Sequence, residues 1–204
     1  MTKLEFFFDC SSPWTYLGFT GIQPICEKYG VDIIWRPILV GGIFNEVNQG
    51  LYSAREAMFK NERRVNHYLK DLNDWANYEN ITIQWPAFHP VNSVKAMRGC
   101  LHAESHELMI PYAKAVFEAY WGLQENISED EVLARIVISV GMNTEEFFSS
   151  IAEQSCKDHL RDNTDELITR GGYGSPTIYI NDEDMYFGND RLPLIAAKLE
   201  QLAE

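Results

Sequence analysis

The sequence predicts an α/β fold in which one sheet is assembled from both ends of the chain, with a long helical segment inserted between them. Short apolar runs of strand length lie near the N-terminus, at Leu4–Phe8 and residues 31–35, and recur near the C-terminus at Thr177–Ile180. From about residue 51 to residue 170 the apolar spacing is helical. A strand, helix, strand start followed by a helical block and a late hairpin requires two sequence-distant segments to share one sheet.

The first run is interrupted only by Glu5, and residues 31–35 are rich in β-branched and aromatic side chains with polar or turn residues around them, so both read as buried strands. Between them Pro13 suits a first helical turn with Ser12 ahead of it as cap, and Trp14, Leu17, Phe19, Ile22 and Ile25 supply a broad apolar face. Gly30 ends that helix. Ser128 with Glu131, and Asn143 with Glu146, have the spacing of capping boxes, while Gly141 and Gly171 fall at helix ends. After Thr177–Ile180 a polar turn leads to Met185-Tyr186-Phe187, and a last helix is expected over residues 192–202. Residues 1–44 and 171–204 are therefore expected to form the sheet domain, and residues 45–170 a helical insertion domain covering one side of a site.

The composition, 46% hydrophobic and 13% aromatic over 204 residues, supports one sizeable core. A net charge of -13 repels nucleic acid and anionic membrane surfaces, which leaves small molecules as the expected ligands. The four cysteines, Cys10, Cys26, Cys100 and Cys156, show neither Cys-x-x-Cys nor zinc spacing and read as reduced thiols. The apolar stretch before Asp9 is far too short for a signal-peptide core or a membrane span, so a cytoplasmic protein is expected.

Ser12-Pro13-Trp14-Thr15 at a strand-to-helix junction sets a hydroxyl beside the unpaired N–H groups and positive end of a helix, where an anion such as a thiolate is favoured. The same serine could be a cap alone. Gly174-Ser175-Pro176-Thr177 precedes a strand, so Pro176 is a candidate cis proline whose neighbours offer backbone groups to an extended ligand, or simply a turn. Arg36 ends a strand ahead of a proline and a glycine pair, placed to meet either a substrate carboxylate or one of the chain's own acids. His102 and His106 are four apart but lack the His-Glu-x-x-His order and an evident third ligand; they read as surface histidines, and no metal is expected. Cys10, with no partner cysteine nearby, reads as a small buried residue.

Ser12-Pro13-Trp14-Thr15-Tyr16-Leu17-Gly18 resembles the Cys-Pro-Trp-Cys-Tyr-Leu-Gly of DsbA-like thiol oxidoreductases with both cysteines replaced, and Gly174-Ser175-Pro176-Thr177 resembles their cis-proline loop. Phe8-Asp9, Arg36-Pro37 with Gly41-Gly42-Ile43-Phe44, Pro90-Val91-Asn92 with Met97-Arg98, and Phe187-Gly188-Asn189-Asp190-Arg191-Leu192 recur in that order in bacterial 2-hydroxychromene-2-carboxylate isomerases and kappa-class glutathione transferases. The resemblance covers nearly the whole chain and implies a thioredoxin-like fold, glutathione as cofactor and a homodimer. It implies that Ser12 hydrogen-bonds the glutathione sulfur, that Ser175 and Pro176 contact the cysteinyl part, and that Asn189 and Asp190 hold the γ-glutamyl end. Asp190 could also cap the last helix. Asn48 and Arg64 fall near family contacts to glutathione, in a region where Asn48-Gln49-Gly50 and Glu62-Arg63-Arg64-Val65 depart from the family pattern.

Four functions remain open at this point. A glutathione-dependent isomerase would add thiolate reversibly to an unsaturated aromatic acid, with Arg36 toward the acid. A transferase or peroxidase would consume glutathione at the same site. A non-catalytic module would bind a peptide or thiol through the cis-proline loop, and an oxidoreductase using Cys10 would need a partner cysteine that is missing. Trp85, Phe88 and Trp121 could line a substrate pocket or pack in the core.

Overall fold

The computed structural model describes residues 2–203, apart from the side chains of Tyr52 and Arg55; the outermost positions of the expected sheet domain, Met1 and Glu204, lie outside the described residues. Strand β1 (Leu4–Phe8) leads into α1 (Pro13–Tyr29) and β2 (Ile33–Pro37). A helical series follows: α2 (Val40–Val47), α3 (Leu51–Phe59), α4 (Glu62–Tyr78), α5 (Val94–Glu104), α6 (Met109–Phe117) with a π turn at Glu118–Gly122, α7 (Asp130–Ser139), α8 (Thr144–Ala152) and α9 (Gln154–Thr169). The chain then returns as β3 (Thr177–Ile180), β4 (Asp184–Phe187), a 3-10 turn at Asn189–Arg191 and α10 (Leu192–Ala203).

The sheet order is β2-β1-β3-β4. β1 and β2 run parallel, as a helical crossover demands, with Phe8 opposite Pro37; β3 joins β1 antiparallel, with Phe6 opposite Ile178, and β4 closes a hairpin on β3. The expected sharing of one sheet by the chain's two ends is thus the architecture observed.

β1 is buried along its whole length because both faces of the sheet are covered. Leu4, Phe6 and Phe8 join Phe19, Ile195 and Leu199 in the main core on the side of α1 and α10, and that core runs on through Tyr112, Phe117 and Leu133 of the helical segment. Phe7 points the other way and packs with Ile38, Ile43, Leu167 and Tyr179.

Three boundaries differ from the sequence reading. β2 covers residues 33–37 rather than 31–35, because Gly30, at φ 64, closes α1 and the Val31 N–H bonds back to the Cys26 carbonyl at 3.0 Å. Ser128 does not cap α7: its hydroxyl bonds Asn126 Oδ1 at 2.7 Å, and Glu129 occupies the cap position without a side-chain bond. Asn143, by contrast, caps α8 by accepting from the Glu146 N–H at 2.9 Å. Residues 80–93, expected within a helical block, form no helix; Pro86 and Pro90 lie there, and a proline both lacks a donor and disfavours helix in the residue before it.

His102 is corrected more sharply. It is 6% exposed, on the inner side of α5, with its ring edge-on to Phe147; only His106 lies at the surface. Cys10 is fully buried, as expected for a small core residue, and Trp121 is core too, its Nε1 donating to the Cys10 carbonyl at 2.9 Å.

Candidate functional site

A cavity of about 780 Å³ opens between the N-terminus of α1, the α2 segment and the loop of residues 89–94. Its size lies within the range of small-molecule sites, roughly 300–1,000 Å³. Its lining combines polar groups, Ser12, Ser175 and Asn48 with the backbone of Gly41 and Gly42, and aromatic side chains that include Trp14, Phe59 and Tyr68.

The polar groups around Ser12 are set by the junction of β1, α1 and β3. Ser12 caps α1 in extended conformation, its Oγ accepting from the Thr15 N–H at 3.3 Å, and Pro13 occupies the first turn where a missing N–H costs nothing. Across the cleft Ser175 precedes a cis Pro176, and the Ser175 Oγ accepts from the Asp9 N–H at 3.0 Å and lies 2.7 Å from Thr15 Oγ1. The Ser12 hydroxyl lies 3.5 Å from the Ser175 carbonyl, at the outer limit of a hydrogen bond, so its hydrogen can turn toward the cavity. Gly18 lets α1 approach this loop: a Cβ there would lie 3.1 Å from Pro176 Cγ.

Asp9 anchors three walls at once. Its buried carboxylate accepts from the N–H of Ser11 at 2.9 Å, the N–H of Val40 at 2.9 Å and the hydroxyl of Ser93 at 3.0 Å. Burial raises its pKa, against the lowering effect of those donors. Sequence reasoning met Asp9 only as part of a resemblance; its role depends on Val40 and Ser93, which no local pattern connects to it.

The aromatic cluster beside Trp14 was only partly legible beforehand, through Trp85. Trp14 Nε1 donates to the Tyr68 hydroxyl at 3.1 Å, Tyr68 stands edge-on to Trp85, and Trp85 in turn to His89. His89 Nδ1 lies 2.7 Å from the Tyr120 hydroxyl. A single histidine before a proline carries no sequence signal for such a position.

Of the residues expected to contact glutathione, Ser12, Asn48 and Ser175 line the cavity, with Asn48 Nδ2 donating to the Tyr173 carbonyl at 3.4 Å. Pro176 lies just behind Ser175, buried against Gly18. Asn189 is 4% exposed with an unpartnered Nδ2, and neither it nor Asp190 lines the cavity. Asp190 pairs with Arg191 at 3.3 Å within the 3-10 turn; Gly188, not Asp190, occupies the cap position of that turn.

Two arginines are placed differently from the expectation. Arg64 sits in the exposed first turn of α4 and does not line the cavity. Arg36 does not reach it either: its guanidinium bonds Glu5 Oε1 at 2.9 Å and Asn163 Oδ1 at 3.5 Å, so of its two readings the ion pair within the chain is realised. Glu5 needs that partner because it is fully buried in β1; Arg170 and Lys3 complete its surroundings at 2.9 and 3.2 Å.

A helix N-terminus facing a cis-proline loop, on a four-stranded mixed sheet with helices on both faces, defines a thioredoxin-fold protein, here with Ser12 at that helix terminus. The chain belongs to the DSBA-like thioredoxin domain family, whose model matches residues 3–200. It is similar to a 2-hydroxychromene-2-carboxylate isomerase of Pseudomonas putida, 28% identical over 98% of this chain and 95% of that protein, and to glutathione S-transferase kappa 1 of Caenorhabditis elegans, 25% identical over 98% and 92%. A solved 2-hydroxychromene-2-carboxylate isomerase shares the fold with a TM-score of 0.81 at 22% identity, covering 98% of this chain and 95% of that one. A cytosolic disulfide reductase of Pseudomonas aeruginosa, solved with GSH, has a TM-score of 0.60 at 16% identity, covering 98% of both chains. Among the described residues no helix is long and apolar enough to cross a membrane.

Proposed function

We propose that this chain is a glutathione-dependent isomerase of the 2-hydroxychromene-2-carboxylate type. The observation that carries the reading is Ser12 at the α1 N-terminus, facing the Ser175-Pro176 loop in a cavity that is also lined by aromatic side chains. The isomerase and kappa-transferase names of the relatives favour the same class.

The cavity lining fits the central part of a glutathione tripeptide, with Ser12 for the sulfur and the Ser175 backbone for the cysteinyl amide, while Asn189 and Asp190, outside the lining, would meet the γ-glutamyl end only if it extends beyond the cavity. Bound glutathione would supply a thiolate that adds reversibly to an unsaturated aromatic acid, making a double bond rotatable, and is released unchanged.

Ser12 would turn its hydroxyl hydrogen from the distant Ser175 carbonyl to the bound sulfur while its lone pair still accepts from the Thr15 N–H, so it stabilises an anion without being consumed. The free N–H groups and the positive end of α1 add to that field. Trp14, Phe59 and Tyr68 exclude water and offer flat surfaces to an aromatic ligand. Asp9 holds the β1 end, Val40 and Ser93 in fixed relation, so the two ligands meet in a set geometry.

The test is calorimetric titration of reduced glutathione into wild type and Ser12→Ala, following thiolate absorbance against pH, and then turnover of unsaturated aromatic acids. Saturable binding, a thiol pKa lowered only when Ser12 is present, and turnover without glutathione depletion support the isomerase. Stoichiometric depletion makes the protein a transferase, and no binding at millimolar glutathione leaves a non-catalytic module.

A further inference from the structure

His102 and His106 lie one helical turn apart, the first on α5 and the second in the turn that follows it, with ring centroids 4.5 Å apart. Glu146, remote in sequence, reaches the same spot from the first turn of α8, and its Oε1 lies 3.4 Å from His106 Nε2. The three side chains offer one donor atom each, all within 4.8 Å of one another. This is the third ligand that the sequence spacing did not reveal.

The ring orientation suits a metal. His106 Nδ1 lies 3.0 Å from the His102 carbonyl and 3.1 Å from Ser105 Oγ, and an Nδ1–H donated to that carbonyl would leave Nε2, the nitrogen facing Glu146, free to ligate. A ligating histidine is commonly oriented in this way, its other N–H donated to a backbone carbonyl. His102 is 94% buried by its 6% exposure, and its Nε2 has no hydrogen-bond partner, a costly arrangement for a purely structural histidine. The backbone beneath Glu146 is fixed by the Asn143 cap.

We propose that His102, His106 and Glu146 form a site for one divalent transition ion of the zinc type, which cross-links the end of α5 to the start of α8. Two imidazoles and a carboxylate match zinc ligation, and the nitrogen donors disfavour calcium and magnesium. Donor atoms around tetrahedral zinc are roughly 3.3 Å apart for bonds of about 2.0 Å. The site therefore closes slightly on binding, through the exposed side chains of Glu146 and His106, and their exposure leaves the fourth position to water. The site is separate from the cavity: α5 begins beside Ser93, and His102 lies eight residues further along it, about 12 Å.

Zinc alone is the probe, in glutathione-free buffer because glutathione competes for zinc. Competition titration against a chromogenic chelator, with melting curves, compares wild type, Glu146→Gln, His106→Gln and Cys156→Ser, and cobalt substitution supplies a visible ligand-field band. The inference requires one equivalent bound by wild type and by Cys156→Ser, a raised melting temperature, and affinity at least about tenfold lower in Glu146→Gln and His106→Gln, whose metal-free melting stays near wild type. Absence of micromolar binding by wild type overturns it. So does binding that survives in both ligand variants or vanishes in Cys156→Ser.

Discussion

The hydroxyl of Ser12 and the carbonyl of Ser175, 163 positions apart in sequence, face each other at 3.5 Å across the mouth of the cavity. Neither segment is a site alone. The first turn of α1 supplies a field for an anion, and the cis-proline loop supplies the opposite wall, tied to that turn through the 2.7 Å contact between Ser175 and Thr15.

That geometry predicts what Ser12 does. A hydrogen bond to a charged group contributes about 1.5–3 kcal/mol, so Ser12→Ala should lower kcat/KM about 10- to 100-fold while destabilising the fold by only about 1 kcal/mol through the lost cap. Ser12→Cys should create a thiol with a pKa below the usual value of about 8.5, measured by the pH dependence of its alkylation. An ordinary pKa in that variant would remove the helix-terminus field from the argument.

Glu5 sets the acid limit of stability. Burial opposes its ionisation, but hydrogen bonds from Arg170 and Arg36 outweigh it and bring the pKa to about 2 from an ordinary 4.5. A depressed folded pKa stabilises the protein above the ordinary value, and that contribution is lost as pH falls from 4.5 toward 2. Urea midpoints should drop through this window in wild type and much less in Glu5→Gln, which should itself cost about 1.5–3 kcal/mol at neutral pH by weakening the charge-assisted bonds from Arg36 and Arg170, which keep Asn163 and Glu166 as partners.

Gly99 is a packing requirement. A Cβ at this position in α5 would fall on the Tyr112 hydroxyl and lie 2.8 Å from Phe147 Cε2. Gly99→Ala should destabilise by about 1–3 kcal/mol despite the better helix propensity of alanine, and thermal melting checks it. A variant as stable as wild type would mean that Tyr112 can move aside.

The thiols should be inert in the folded state. Burial raises the pKa of Cys10 and takes that of Cys26 to about 12; Cys100 is equally enclosed, and only Cys156 is half-buried. A chromogenic disulfide reagent should therefore modify Cys156 first, and the other three only after denaturation. Rapid modification of Cys10 in native protein would reopen a redox mechanism.

The sequence by itself determined the elements whose signals are local: the α1 cap at Ser12, its stop at Gly30, the Asn143 cap of α8 and the buried runs of β1 and β3. It offered Pro176 as a cis proline or a simple turn, and the resemblance favoured the cis form that the structure has. Only the tertiary structure decided which chemistry-bearing side chains meet. Arg36 left the site because the buried charge of Glu5 required it, and His102 left the surface because α5 turns that face toward Phe147. Asp9, Ser93 and Val40 were joined, and so were His102, His106 and Glu146, by contacts across distant segments. Capping and periodicity act over one or two turns and leave a trace in adjacent residues; burial and charge pairing act across the fold and leave none.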